Sequence, residues 1–145
     1  MKQILLTAIL ATVFLGCEKK AGEDKVTGLE TEVLAIHDEI MPKMDSIMTL
    51  KAMLSTKIKE IDSLDNIGLS SNSLAEQRIK AIDINNKLNE SDKSMMDWMH
   101  GYKGDSAKKL QSEQAVLYFE AEKDEILQVK QLTLRSLQEA KKFLE

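Results

Sequence analysis

Residues 27–64 read TGLETEVLAIHDEIMPKMDSIMTLKAMLSTKIKEIDSL, and this stretch decides the fold. Val33, Ile36, Ile40, Met44, Ile47, Leu54, Ile58 and Ile61 recur at steps of three, four and seven, the spacing that lines one face of a helix. The stripe predicts one helix of about 38 residues, roughly 57 Å long. Thr27-Gly28-Leu29-Glu30 has the spacing of a capping box and predicts its start, and Asp65-Asn66-Ile67-Gly68 predicts its stop. Pro42 lies inside. It removes the hydrogen bond to the Asp38 carbonyl, so the helix either kinks or begins afresh with Pro42 in its first turn. The unbroken phase of the stripe, and the poor cap that Met41 would make, favour the kink.

Two more helices follow. Ser73-Leu74-Ala75-Glu76 is a second capping box, opening a helix whose apolar face runs through Ala81, Ile84, Leu88, Met95 and Trp98 or Met99, with Gly101 and Gly104 to end it. Asp105 or Ser106 can cap a third helix of about 40 residues carrying Leu110, Val116, Leu117, Ile126, Leu127, Leu134, Leu137 and Leu144. No stretch alternates with the period of a strand. The expected fold is all-α, an antiparallel three-helix bundle with long coiled-coil-like helices, because short loops make sequential helices antiparallel neighbours. A third helix longer than the second would have to cover the first loop, pair with another copy or fray.

Upstream of the bundle, Lys2 precedes an apolar run, Ile4 to Leu15, that ends in Gly16 and the only cysteine, Cys17. A basic start, a short apolar core and a small residue before the break are the parts of a secretory signal. Phe14-Leu15-Gly16-Cys17 resembles a lipobox, with Phe14 and Leu15 where Leu followed by Ala or Ser is usual. The resemblance to bacterial lipoproteins implies a signal peptide over 1–16, cleavage, and acylation of Cys17. Two or more acyl chains anchor stably where one does not. A buried structural role for Cys17 would instead need the leader to be a core helix followed at once by Glu18-Lys19-Lys20. Residues 17–26 then read as the lipid anchor and a charged tether containing Gly22, and 27–145 as the bundle domain. The expected location is the cell envelope, at the outer membrane facing the periplasm.

Loss of the leader takes Lys2 and no acid, so the formal net charge falls from −4 to −5. That excludes nucleic acid as the expected partner, since such binding needs clustered Lys and Arg. With Cys17 acylated no thiol remains for a disulfide, and stability rests on packing.

Apart from Met1, the methionines fall in two windows, Met41, Met44, Met48 and Met53 in the first helix and Met95, Met96 and Met99 in the second. His37 stands four residues before Met41, and His100 directly follows Met99. A hairpin turning near residues 66–72 sets His37 level with Met99 and His100, and Met41 level with Met96. His37, Met41, Met44, Met96, Met99 and His100 are therefore candidate ligands of a soft metal such as Cu(I), which thioethers select, and Trp98 could add a cation–π contact. The competing reading is that methionines fill irregular core space beside the proline. Zinc is disfavoured, since two histidines need further ligands and Asp38, Glu39 and Asp97 read as solvated faces.

His37-Asp38-Glu39-Ile40-Met41-Pro42-Lys43-Met44 together with Met95-Met96-Asp97-Trp98-Met99 resembles a group of small lipoproteins of Bacteroidetes-type bacteria that automated pipelines often label "viral A-type inclusion protein". The resemblance covers the mature domain and implies coiled-coil character; it carries no activity and no functional residues.

Catalysis is not expected. A covalent mechanism needs an activated nucleophile, a base and an orienting group, and the cysteine is consumed by the lipid. Ser73 and Ser106 are placed at caps, and His37 and Asp38, as helix neighbours, point about 100 degrees apart. There is neither a Gly-rich phosphate loop nor a ferritin-like pairing of Glu with Glu-x-x-His. The expected function is a lipid-anchored scaffold or interaction module that pairs with a helix of a partner or of a second copy, with Cu(I)-type binding or sensing as the alternative.

Overall fold

The computed structural model describes the backbone of residues 15–145 and side chains from residue 22 onward, so residues 1–14 of the expected leader and the side chain of Cys17 lie outside the described residues. The described chain is all-α. A first rod comprises α1 (Leu15–Ile40), one 3-10 turn (Met41–Lys43) and α2 (Met44–Asn66); α3 (Asn72–Gly101) returns, the one-turn α4 (Gly104–Ala107) bridges, and α5 (Ser112–Leu144) completes the bundle.

Cross-helix pairs give the directions. Lys25–Glu120, Glu32–Lys123 and Glu39–Lys130 advance together, so α1 and α5 are parallel. Lys51–Asp92 and Asp62–Arg78 run in opposite order, as do Lys87–Glu139 and the Ser91–Thr133 hydroxyl pair, so α3 is antiparallel to both neighbours. The order is up, down, up.

Three apolar layers stack along the bundle. Val26, Ala107, Ala115 and Phe119 close one end; Val33, Ile40, Met95, Trp98, Ile126 and Val129 fill the middle; Ile47, Leu50, Leu54, Ala81, Ile84, Leu88, Leu137 and Ala140 fill the other end. Each buried large aliphatic or aromatic side chain contributes roughly 1.5–3 kcal/mol. On the first rod Val33, Ile40, Ile47, Leu54 and Ile61 are buried, and on α3 Ala81, Ile84, Leu88, Met95 and Trp98, as the periodicity predicts. The reading of the third helix is corrected: Leu110 precedes α5 and is exposed, Leu117 and Leu134 are exposed on it, and the inward stripe is Ala115, Phe119, Ile126, Val129, Thr133, Leu137 and Ala140. Small and hydroxylated side chains on that stripe hid it from hydropathy.

The helix boundaries also shift. The box at Thr27 does not form; Thr27 Oγ1 donates to the Glu23 carbonyl at 3.0 Å inside a continuous helix. The segment 18–26 is helical and Val26 is buried. Val26 lies one heptad before Val33 and extends its stripe, while Gly22 lets the chain pass so close to α5 that a Cβ there would meet Ser112 Cβ at 2.8 Å. At Pro42 the α-helix stops at Ile40 and resumes at Met44, with Ile40, Lys43 and Met44 all in the right-handed helical region and no side-chain cap. The lost amide and the ring clash are absorbed by tightening one turn into 3-10 geometry. Downstream, α2 ends in a Schellman motif: Gly68 has φ 78°, its N–H donates to Asp65 O at 3.0 Å, and that of Leu69 donates to Leu64 O at 2.9 Å.

α3 is capped by Ser71, whose Oγ accepts from the Leu74 N–H at 3.2 Å, two residues ahead of the expected box. Gly104 is not a stop but the first residue of α4. It packs under Tyr102, where a Cβ would lie 2.6 Å from the phenolic oxygen, and the Lys103 N–H donates to Tyr118 Oη at 2.5 Å. Those contacts hold the turn and delay α5 to Ser112, which leaves it 33 residues long instead of about 40. The expected surplus over α3 shrinks to three residues and does not reach the α2–α3 turn. Leu144 packs at the Leu54 layer and Lys80 Nζ lies 5.9 Å from the Phe143 ring centroid, while Asp62 and Arg78 pair further along. The α2–α3 hairpin therefore projects beyond α5, with Ile67 and Leu69 exposed at its turn.

Candidate functional site

His37 and several of the methionines lie along the groove between the first rod and α3. Two contacts define it. The His37 ring lies on Trp98 with centroids 5.5 Å apart, and Lys51 Nζ reaches Asp92 Oδ2 at 3.2 Å. Met41, Met44 and Met48 lie between His37 and Lys51 at helical steps of four, three and four, and so share the flank that faces α3. Met96 and Met99 follow Asp92 at four and seven residues on the opposing flank. In this antiparallel pair Met41 stands level with Met96, as the hairpin reading predicts.

Burial separates the methionines by role. Met95 is fully enclosed, and Met44 and Met99 pack against the middle layer. Met41, Met48 and Met96 are not core fillers: their exposures are 39%, 56% and 44%. Met53 is also exposed. The Lys51 ammonium approaches Met48 Sδ at 4.0 Å. His37 is mostly covered, and although the two are helix neighbours expected to point apart, its Nδ1 lies 2.9 Å from Asp38 Oδ1 and donates to that carboxylate. His100 sits exposed in the last turn of α3, where the Lys103 ammonium donates to its carbonyl at 3.0 Å. Of the two histidines it is His37 that enters the aromatic stack.

That stack runs on from Trp98 to Tyr102, with centroids 5.1 Å apart, and from Tyr102 to Phe119 and Tyr118. Trp98 Nε1 and Tyr102 Oη are buried without a hydrogen-bond partner among the described residues. Burial, reinforced by Glu30, pushes the Tyr102 phenol up to about 12, and burial does the same to Tyr118. Sequence reasoning missed these tyrosines. It also missed Leu34, which is 39% exposed and stands seven residues before Met41.

Two further clefts flank α5. One of about 730 Å³ lies against α3 and is lined by Glu90, Asp97, Glu122 and Glu125 with Arg135; the other, about 690 Å³, lies against the first rod and carries Lys43, Lys141 and Lys142. Among the described residues no three His, Cys, Asp or Glu side chains converge to hold a metal, and no helix is long and apolar enough to cross a membrane. No family model, curated protein or solved structure matches the chain.

Proposed function

We propose that this chain is a lipid-anchored cell-envelope module, held at the outer membrane on the periplasmic side through Cys17, that works by docking another helix and not by catalysis. The observation that carries this reading is the row Leu34, Met41 and Met48, spaced by seven residues and left exposed on one flank of the first rod. A seven-residue repeat keeps apolar side chains on one seam, which is how a helix recognises a second helix. Methionine suits such a seam, because its flexible thioether adapts to the partner's surface. The leader-like residues before Cys17 support the anchor.

The test has two parts. Palmitate labelling in cells should tag the wild-type chain and not Cys17→Ala. A photo-reactive residue at position 48 should trap one discrete adduct, either a partner protein or a second copy, and Leu34→Glu should abolish it without loss of helicity. Absence of label sinks the anchor; absence of a discrete adduct from a folded, labelled chain sinks the docking role.

A further inference from the structure

We infer that the groove between the first rod and α3 binds Cu(I), with the His37 imidazole and the thioethers of Met41 and Met96 as ligands. Packing accounts for Met95 and for the inner sides of Met44 and Met99, but not for Met41 and Met96, which are 39% and 44% exposed. A long apolar side chain kept at the surface on both walls of one groove, at the same level, points to a use for its sulfur.

His37 is prepared for such use. A proton on Nδ1, donated to the Asp38 carboxylate across 2.9 Å, leaves Nε2 as the nitrogen that can ligate, the arrangement that orients metal-bound imidazoles. Met41 follows one turn later, with its Cβ about 5–6 Å from that of His37, a separation that two long side chains close around one ion. Met96 stands at the level of Met41 on the other wall, between the His37–Trp98 stack and the Lys51–Asp92 pair. Two thioethers and one neutral imidazole form a soft donor set with no anionic ligand, which favours monovalent copper over zinc or the hard cations. Trp98, against which the His37 ring is stacked, forms the floor and reports occupancy.

The experiment uses the full chain carrying Cys17→Ala, so that no thiolate competes for the metal. Cu(I) is titrated anaerobically against a Cu(I)-specific chelator while the emission of Trp98, the only tryptophan, is followed. The expected result is capture of one equivalent with quenching of Trp98, and at least a tenfold loss of affinity in Met41→Leu/Met96→Leu with helicity unchanged. His37→Gln, which leaves both thioethers in place, should lose affinity by a similar factor. No capture by the chain, or capture that both variants leave untouched, overturns the site. Leucine at 41 preserves the apolar seam, so the docking adduct should survive in that variant, and the two proposals stand or fall separately.

Discussion

Ser91 and Thr133 share a hydrogen bond of 2.8 Å at the centre of the bundle, where α3 crosses α5 between two apolar layers. Both residues are fully buried, and Ser136 Oγ adds a bond to the Thr133 carbonyl at 3.0 Å. Ser91→Ala strands the Thr133 hydroxyl and is expected to destabilise by about 1–3 kcal/mol, whereas Ser91→Ala with Thr133→Val removes both partners and should lie close to wild type. Urea melts of the two singles and the double close the cycle; simple additivity would mean that the two hydroxyls do not act as a pair.

Val26 and Phe119 belong to one layer although more than half of the chain separates them. Phe119→Ala should lower stability by about 3–5 kcal/mol, and Val26→Ala by about 1.5–3 kcal/mol. A change within about 0.5 kcal/mol for Val26→Ala would return residues 18–26 to a tether outside the fold.

Two glycines should respond in opposite directions. Gly28 lies inside α1 with nothing within 4 Å of the point a Cβ would occupy, so Gly28→Ala should raise stability by up to about 1 kcal/mol through helix propensity. Gly104→Ala drives a methyl into the Tyr102 ring and should lower stability by about 1–3 kcal/mol. Thermal melts of both variants check the pair; equal shifts would contradict the close approach at Gly104.

Alkali should weaken the fold through the tyrosines. Tyr102 and Tyr118 ionise near 12 in the folded chain and near 10 when unfolded, so between those values the folded state holds more protons and stability falls as pH rises. Below about pH 10 the contribution is fully present. Tyr102→Phe/Tyr118→Phe should flatten this limb of a stability-against-pH curve, and a wild-type curve level from pH 10 to 12 would rule the effect out.

The antiparallel hairpin was legible because one long apolar stripe and a glycine stop determine both direction and level; the Schellman turn at Gly68 and the pairing of His37 with the Trp98 region follow from them. The path of α5 was not, because Ala115, Thr133 and Ser136 face inward while Leu117 and Leu134 face out. Small and hydroxyl side chains fit where helices approach closely, which hydropathy does not record. The start of α1 was hidden for a related reason: Val26 is the one large apolar anchor in a charged segment. For the methionines, periodicity did not separate the enclosed Met95 from the exposed Met41, Met48 and Met96, since it marks an inward face without telling which flank a neighbour covers.

The parallel course of α1 and α5 and the projecting α2–α3 turn have a mechanical consequence. The first rod spans roughly 75 Å from the Cys17 end to the turn that bears Ile67 and Leu69. Tension applied between those two ends would run along the backbone of the rod itself, while α3 and α5 packed beside it hold its turns against unwinding. A bundle built this way is suited to work as a tie braced along its length.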